Sequence, residues 1–430
     1  MNLPLTASFN EKGRLTIGGC DTVELAHRYG TPLYVLDEDD VRSRCRHYAK
    51  AFREHYPDTS FVYASKALST VQMIKFVTSE GFGVDVASGG ELYTALKAGM
   101  DRKKIFFHGS FKTDAELREA MTAGVGRIVI DNQPEIARID SIAGKLRKKV
   151  DVSIRVNPGV DAHTHESIKT GNTDSKFGIP AGKVLETAGL VTVSKNLELR
   201  GLHAHIGSQI FDPKGYLSEI DALIDMVRDI RSKLKVEIPE LNIGGGIGVA
   251  YVDGDDPDNI DDFAAQIASR LKEKTVQYKL PAFKLVLEPG RSIVARAGVT
   301  LYTVGHIKEI PGIRKFAVVD GGMSDNIRPM LYGAKYDMVL ADDIRADRTM
   351  KVTVAGRACE SGDVLAKDIM MPLLEAGSII AVLCTGAYNY SMASNYNRFT
   401  RPAMVSVRRG RSKLIIRREK YKDVAACDAD

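Results

Sequence analysis

The sequence predicts a parallel (β/α)8 barrel followed by an all-β domain. Eight short apolar runs recur between residues 61 and 288, with helix-length amphipathic segments between them. This alternation is typical of a parallel sheet, and eight repeats are the number that closes a barrel. After Glu288, β-type runs follow one another with few helix-length segments between them. The 430 residues also exceed one typical barrel of about 250, which favours a second domain.

The eight predicted barrel strands each end in a residue or glycine cluster suited to chemistry. They are FVYASK (61–66), GVDVA (83–87), IFFHG (105–109), RIVID (127–131), VSIRV (152–156), LHAHI (202–206), LNIGGG (241–246) and FKLVLE (283–288). In a parallel barrel the carboxyl ends of the strands meet at one face. The residues expected around one pocket at this face are Lys66, Asp85, His108, His205, Gly244 to Gly246 and Glu288.

Short β-type runs outside the barrel predict the second domain. After Glu288 they are GVTLYTV (298–304), FAVVD (316–320), KVTVA (351–355), IIAVL (379–383) and AMVSV (403–407). The opening segment is also β-rich, and Asp37 is a suitable N-cap for a helix through Tyr56. The first 36 residues are too few for a core of their own, so we expect them to join the C-terminal strands. The predicted domains are a barrel over 37–288 and a β domain made of 1–36 together with 289–430.

The composition argues against several classes of protein. With 44% hydrophobic residues, 27% charged residues and a net charge of +5, the chain is typical of an ordinary globular protein. No stretch reaches the roughly 18 apolar residues of a membrane span, and the N-terminus lacks a signal-peptide core. The five cysteines are scattered without a CxxC pair, which argues against a disulfide framework and a zinc ribbon. We therefore expect a cytoplasmic protein with no membrane partner and no metal.

The densest basic stretch, residues 408–422, allows two interpretations. Clustered arginine and lysine can bind nucleic acid. However, RRGRSK (408–413) also has the composition of a hairpin turn between MVSV (404–407) and LII (414–416). We favour the hairpin and expect no nucleic-acid partner.

Lys66 is the candidate nucleophile. An amine at the end of a buried strand can lose its charge by desolvation, and a neutral amine can form an imine with an aldehyde such as pyridoxal phosphate. Taken alone, a lysine at a strand end is more often a solvated terminus.

Three neighbouring features favour the cofactor. Glycines 244–246 permit positive φ, so their N–H groups can face a phosphate. Glu288 and Arg291 can hold a pyridinium nitrogen and an anion, although a surface ion pair is the alternative. In HAH (203–205) we expect the imidazoles of His203 and His205 to face opposite sides of the strand, so that they do not share a metal. One of the rings can stack on a flat cofactor or pack in the core.

The same residues belong to longer motifs that cover nearly the whole chain. The motifs are YASK (63–66), GVDVASGGEL (83–92), THESIKTG (164–171), KFGI (176–179), GLHAHIGSQ (201–209), EPGR (288–291), CESGD (359–363) and GAYNYSMASNYN (386–397). Together they resemble the diaminopimelate decarboxylase family, pyridoxal-phosphate enzymes of alanine-racemase-like fold. The resemblance implies a homodimer whose subunits share each active site. It also implies decarboxylation of meso-2,6-diaminopimelate to L-lysine and carbon dioxide, the last step of lysine biosynthesis.

The resemblance further implies a role for each matched residue of the barrel. Lys66 is the Schiff-base lysine, Asp85 helps to orient the site, His205 stacks on the pyridine ring, and Glu288 pairs with the ring nitrogen. The residues implied near the cofactor phosphate are Ser208, Gly244, Gly245, Gly246 and Gly290.

Residues of the β domain complete the implied site. The substrate-binding residues are Arg291, Arg328, Tyr332, Glu360 and Tyr388, of which Arg291 and Tyr388 also reach the cofactor. Cys359 and Glu360 come from the partner subunit, the first as proton donor and the second as the group that binds the distal amine. An inert buried thiol is the alternative for Cys359.

Three other functions are alternatives for this sequence. A decarboxylase of ornithine, lysine or arginine on the same fold is the nearest, but residues 164–171 and the pair of Arg328 and Glu360 favour a substrate with a second carboxylate. An amino-acid racemase is disfavoured, since on this fold it places an arginine at the ring nitrogen. A catalytically inactive homologue that only binds a partner should have lost Lys66 or Cys359, and both are present.

Overall fold

The computed structural model describes residues 1–159, 175–257 and 259–429. The chain divides into a β unit, Met1–Ser43, Ala250–Asp255 and Ile293–Asp430, and a barrel unit, Arg44–Val249 and Asp256–Ser292. These limits differ by a few residues from the predicted ones. Residues 37–43 and 250–255 group with the β unit, and residues 289–292 group with the barrel unit.

The chain opens with a three-stranded antiparallel sheet, a helix and a longer strand. These elements are β1 (Ser8–Phe9), β2 (Leu15–Ile17), β3 (Cys20–Asp21), α1 (Thr22–Tyr29) and β4 (Leu33–Asp37). The next helix, α2 (Glu38–His55), is the one predicted from the sequence. Asp37 caps it as expected, because its Oδ1 accepts the N–H groups of Asp39 and Asp40.

Eight parallel strands close into the predicted barrel, and one short strand extends it. In chain order they are β5 (Thr59–Ala64), β6 (Gly83–Val86), β7 (Ile105–Phe107), β8 (Arg127–Ile130), β9 (Val150–Asn157), the short β10 (Ile179–Pro180), β11 (Leu197–His203), β12 (Glu240–Asn242) and β13 (Lys284–Leu287). The barrel order is β9-β11-β12-β13-β5-β6-β7-β8, and pairing of β8 with β9 closes the ring. Most strand residues are buried, as parallel strands covered on both sides must be.

Helices connect the barrel strands. They are α3 (Val71–Ser79), α4 (Gly89–Lys97), α5 (Asp114–Ala123), α6 (Gln133–Lys145), α7 (Val184–Val193), α8 (Lys214–Leu234) and α9 (Ile260–Gln277). Polar side chains fix where several begin, because Ser88, Thr113 and Asn132 accept N–H groups from the first turns of α4, α5 and α6. In the part of the chain that the structure describes, no helix has the length and apolar character needed to cross a bilayer.

The remaining elements are mainly strands. They are α10 (Arg291–Val294), β14 (Gly298–Ile310), β15 (Arg314–Val319), α11 (Arg328–Tyr332), β16 (Met338–Leu340), β17 (Met350–Ala355), β18 (Val364–Met371), β19 (Ile379–Val382), β20 (Ala403–Arg408), β21 (Arg411–Ile416) and α12 (Tyr421–Val424). The main sheet has the order β18-β17-β15-β14-β4-β20-β21. The N-terminal strand β4 thus lies between β14 and β20, so the opening segment pairs with C-terminal strands as expected.

The basic stretch forms the predicted hairpin. β20 and β21 pair antiparallel from Met404 opposite Ile416 to Arg408 opposite Arg411. The turn residues Arg409 and Gly410 both have positive φ, 49° and 71°, as tight hairpin turns require. Arg408 also forms ion pairs with Glu38 and Asp39, so part of the basic charge is neutralised within the chain.

A buried glutamate in α8 is a source of instability in the barrel unit. Glu219 is fully buried, and neither carboxylate oxygen has a hydrogen-bond partner among the described residues. Burial therefore raises the pKa of Glu219 well above its usual value. The unfolded chain ionises this group near its ordinary pKa, so stability should fall as the pH rises above about 4.5.

Glu219→Met should stabilise the protein by about 1–3 kcal/mol at pH 8, because it removes an unpaired buried polar group. Glu219→Gln should mainly flatten the pH dependence, since it keeps the shape and removes the ionisation. The measurement is the midpoint of thermal unfolding between pH 4.5 and 8. Glu54→Gln, at an exposed position, is the control and should change little. A Glu219→Gln midpoint that varies with pH as in the wild type would contradict the assignment.

Candidate active site

The carboxyl ends of the barrel strands place the predicted residues at one face. Lys66 lies in a single turn, Ser65–Ala67, directly after β5, and Asp85 lies in β6. His205 follows β11 by two residues, Gly244 follows β12 by two, and Glu288 follows β13 directly. Because all strand ends of a parallel barrel point the same way, these side chains belong to one site.

Glu288 is the best-connected group of this site. It is 6% exposed and accepts three hydrogen bonds. Its Oε1 accepts from Asn242 Nδ2 at 2.7 Å and from His108 Nε2 at 2.9 Å. Its Oε2 accepts from His203 Nε2 at 3.1 Å. These donors come from the ends of three other strands, so closure of the barrel builds the group's environment.

The surroundings keep Glu288 charged. Burial acts to raise its pKa, but His108 and His203 together hold the pKa well below its usual value. Burial also lowers the pKa of His203 to about 4, against the opposing effect of Glu288, so this imidazole is neutral near pH 7. The site thus presents a charged carboxylate to which the neutral His203 donates a hydrogen bond.

Asp85 supports the turn that carries Lys66. Its Oδ1 accepts the N–H of Ser65 at 3.0 Å, immediately before the lysine. Burial and the nearby Glu288 raise the pKa of Asp85 to about 7, although His108 and Lys66 act to lower it. The position of Asp85 therefore agrees with an orienting role.

The glycine cluster makes a close backbone approach that side chains would block. A Cβ at Gly245 would lie 2.0 Å from the carbonyl oxygen of Glu288, and Gly246 has a φ of +122°. The N–H of Gly244 donates to Asn242 Oδ1 at 2.9 Å. The N–H groups of Gly245 and Gly246 have no acceptor in the described part of the chain, so they are available to an anion.

Ser208 and Arg291 lie in contact at the same face. Arg291 Nε and Nη2 donate to Ser208 Oγ at 3.2 and 3.0 Å. Gly290, one residue earlier, packs closely on β5, because a Cβ there would lie 2.8 Å from the Cβ of Ala64. The predicted phosphate and substrate residues of the barrel unit are therefore adjacent.

The expectation for the two histidines of HAH was wrong. His203 contacts Glu288, and His205 is close enough for Glu288 and His203 to affect its pKa. Residues two apart in extended backbone face the same side, which is the physical reason, although β11 itself ends at His203. Desolvation, Lys66 and Arg155 lower the pKa of His205 well below its usual value, so its ring is neutral. Its Nδ1 lies 2.9 Å from the carbonyl oxygen of Gly245, to which it donates.

His108, His203 and Glu288 have the ligand types of a metal site, with ligand atoms within 4.8 Å of one another. Both imidazole Nε2 atoms, however, lie at hydrogen-bond distance from Glu288 and donate to it. A nitrogen that carries a hydrogen offers no lone pair to a metal. The arrangement suits a buried carboxylate that must stay charged.

Within the β unit, Arg328 contacts three tyrosines. Its Nε donates to Tyr336 Oη at 2.9 Å, and its guanidinium carbon lies 5.1 Å and 5.3 Å from the ring centroids of Tyr332 and Tyr388. Three of the predicted substrate-binding residues of this unit, Arg328, Tyr332 and Tyr388, therefore form one cluster.

Cys359 and Glu360 lie on a turn that Asp363 holds in place. Cys359 is exposed, which disagrees with an inert buried thiol, and its N–H donates to Asn397 Oδ1 at 2.8 Å. Asp363 accepts the N–H groups of Ala358 and Met323 at 2.8 and 2.7 Å. Residues 164–171, which favoured a dicarboxylate substrate, lie outside the described residues.

Two residues near Glu288 were not predicted. The sequence analysis gives Asn242 no role, although it bonds both Glu288 and Gly244. Arg155, in β9, lies close enough to Glu288 and Asp85 for both to raise its pKa, against a larger lowering by burial. A charged residue inside the apolar run VSIRV (152–156) was the sequence feature that could have predicted a role for Arg155.

Comparison with known proteins gives a consistent family. Residues 38–295 match the model of the pyridoxal-dependent decarboxylase family, pyridoxal binding domain. A diaminopimelate decarboxylase of Bacillus methanolicus is 45% identical over 423 residues, 98% of each chain. One from Bacillus subtilis is 44% identical over 98% of this chain and 97% of the relative. A crystal structure of diaminopimelate decarboxylase from M. jannaschii with L-lysine has a TM-score of 0.92 and 33% identity, covering 99% of this chain and 98% of that one.

The residues present fit the pyridoxal phosphate that this family uses. Within the described ranges, Glu288 accepts three hydrogen bonds and keeps an acceptor position that suits a ring nitrogen. In the same ranges the N–H groups of Gly245 and Gly246 have no acceptor, which suits a phosphate. Lys66, the amine predicted to bind the aldehyde, lies at the same face. Fold, site and full-length similarity agree, and the chain belongs to the diaminopimelate decarboxylase family of pyridoxal-phosphate enzymes.

Proposed function

We propose that the protein decarboxylates meso-2,6-diaminopimelate to L-lysine and carbon dioxide. The observation that carries the proposal is the buried, charged Glu288 at the barrel face that also holds Lys66, in a chain 45% identical to a diaminopimelate decarboxylase. Pyridoxal phosphate, when bound, accepts the electron pair that carbon dioxide leaves behind. Glu288 keeps the ring nitrogen protonated, so that the ring can do so.

The barrel unit holds the cofactor in this proposal. Lys66 would hold its aldehyde covalently, Asp85 would orient the turn of Lys66, and His205 would lie against the ring. The groups assigned to the phosphate are Ser208, Gly244, Gly245, Gly246 and Gly290. Two observations support this assignment: the N–H groups of Gly245 and Gly246 have no acceptor among the described residues, and Ser208 contacts Arg291.

The β unit binds the substrate. We assign Arg328 and Tyr332 to a substrate carboxylate, and we assign Arg291 and Tyr388 to both the cofactor and the substrate. The packing of Arg328 against two tyrosine rings supports this, because a guanidinium held in place loses less entropy when it binds a carboxylate. Glu360 binds the distal amine, and Cys359 returns a proton to the carbon that lost carbon dioxide.

The test is carbon dioxide release from meso-diaminopimelate, L-ornithine and L-lysine with added pyridoxal phosphate. We expect meso-diaminopimelate to be preferred by at least about 10³ in kcat/KM, because groups that pair with its distal charges would be left unpaired by ornithine. A preference for L-ornithine would assign the protein to the basic amino-acid decarboxylases instead.

We propose a homodimer in which Cys359 and Glu360 act in the partner's site. The exposure of Cys359 supports this, since a proton donor must be reachable. Lys66→Ala and Cys359→Ala should each be inactive, and co-expression should restore about a quarter of wild-type activity. Half of the dimers would then be mixed, each with one intact site. No recovery in confirmed mixed dimers would show that each site uses its own Cys359.

We also place the enzyme in the cytoplasm. Cys20, Cys359 and Cys427 are free thiols, and a reducing compartment keeps thiols in that state.

A further inference from the structure

Hydrogen bonds from the described residues leave one acceptor position of the Glu288 carboxylate unfilled. An ionised carboxylate offers about four lone-pair positions, two on each oxygen. Oε1 accepts Asn242 and His108, and Oε2 accepts His203. The unfilled position is therefore on Oε2.

Hydrogen positions on His203 follow from its partners. The ring is neutral near pH 7 and carries one hydrogen. Nε2 lies 3.1 Å from a carboxylate oxygen, while the buried Nδ1 has no hydrogen-bond partner among the described residues. A hydrogen on Nδ1 would leave one donor unpaired and set a lone pair against the carboxylate, so the hydrogen is on Nε2. His203 thus donates without neutralising Glu288.

The amide of Asn242 is also fixed in orientation. Its Oδ1 accepts the N–H of Gly244 at 2.9 Å, and its Nδ2 donates to Glu288 at 2.7 Å. A backbone N–H can only donate and an ionised carboxylate can only accept, so the reversed amide would lose both bonds. Asn242 therefore connects Glu288 to the start of the glycine cluster.

We infer that Asn242, His108 and His203 are positioning residues that hold Glu288 as a charged carboxylate with one acceptor position open to the cofactor's ring nitrogen. This inference rests on the proposed function, since it concerns the same reaction. None of the three needs to touch the substrate. Their effect should appear in kcat and cofactor binding, with little change in the KM for substrate.

Asn242→Asp is the sharpest test, because it changes only the atom that faces Glu288. The aspartate still accepts the N–H of Gly244, but an oxygen replaces the donor 2.7 Å from Glu288. Two carboxylates at that distance share a proton, which raises the pKa of Glu288. Asp85, Arg155 and His205 also lie near Glu288 and are unchanged in the variant.

We expect Asn242→Asp to lower kcat about 100-fold, as loss of one preorganised electrostatic contact does, with KM changed less than about threefold. The dissociation constant of pyridoxal phosphate, measured by fluorescence titration of the apo-protein, should rise at least tenfold. The bound cofactor's absorbance should also change its pH dependence between pH 6 and 9. Thermal unfolding of the apo-protein shows whether the variant folds.

A matched pair at His203 keeps the inference testable if Asn242→Asp fails to fold. His203→Gln retains an N–H near the position of Nε2, whereas His203→Leu removes it. The leucine variant should lose at least tenfold more cofactor affinity and kcat than the glutamine variant. Equal effects of the two, or wild-type cofactor binding in Asn242→Asp, would overturn the inference. A wild-type enzyme inactive on meso-diaminopimelate would instead refute the proposed function, and the cofactor titrations would still decide the role of Asn242.

Discussion

Lys66→Ala should lower kcat by about 10⁴-fold or more, the scale seen when a covalent catalyst is removed. Lys66 lies in the turn after β5 whose backbone is held by Asp85, so the amine is presented at the carboxyl face of the barrel. Without this amine the cofactor aldehyde has no covalent attachment to the protein. The measurement is carbon dioxide release together with the visible absorbance of the protein after incubation with pyridoxal phosphate.

Lys75→Ala is the matched control for Lys66→Ala. Lys75 is an exposed lysine in α3, nine residues further along the chain, and its loss should leave absorbance and rate unchanged. Borohydride reduction followed by peptide mass spectrometry should locate the cofactor on Lys66 in the wild type. An adduct on a different lysine would remove Lys66 from its assigned role.

Glu288→Gln should lower kcat by about 10²–10³-fold, because a neutral amide does not keep the ring nitrogen protonated. The glutamine side chain would also place its NH2 group against His108, His203 or Asn242, which donate to the carboxylate in the wild type. Two donors would then face each other without an acceptor. Activity and the absorbance spectrum of the bound cofactor are the measurements. The spectrum should change even where the cofactor still binds.

Glu288→Asp separates charge from position. Aspartate keeps the negative charge but withdraws it by one methylene, away from His108, His203 and Asn242. We expect an intermediate loss of kcat, smaller than that of the glutamine variant. If the aspartate and glutamine variants lost the same amount of kcat, the position of the carboxylate would matter as much as its charge. Full activity of Glu288→Gln would contradict the pairing of Glu288 with the ring nitrogen.

The sequence predicted the barrel strands because each is a short apolar run separated by a helix-length segment, a local pattern. Asp37 was recognisable as a cap, and RRGRSK as a turn, for the same reason. The contacts of Glu288 are of another kind. His108 and Asn242 lie 180 and 46 residues from it in sequence and meet it only because the barrel closes in a particular register. No local pattern encodes which side chains face each other across a closed sheet.

The sequence nevertheless contains a pattern that predicts one of the contacts of Glu288, the two-residue spacing of His203 and His205. His203 and His205 were assigned to opposite sides although the two-residue period of a strand places them on the same side. Because His205 was expected at the pocket, this period also predicts His203 there. The role of Asn242 could not be predicted from the sequence, because it depends on two simultaneous hydrogen bonds, one to Glu288 and one from Gly244.

The contact between the backbones at Gly245 and Glu288 bears on how such an enzyme can be redesigned. Even one methyl group at Gly245 would collide with the neighbouring strand end, 2.0 Å away, so a library that randomises this loop would consist mostly of misfolded proteins. The contacts of Arg328 with the rings of Tyr332 and Tyr388 are made by its guanidinium group. Directed evolution toward other amino acids should therefore vary the tyrosine cluster and leave the glycine loop as it is.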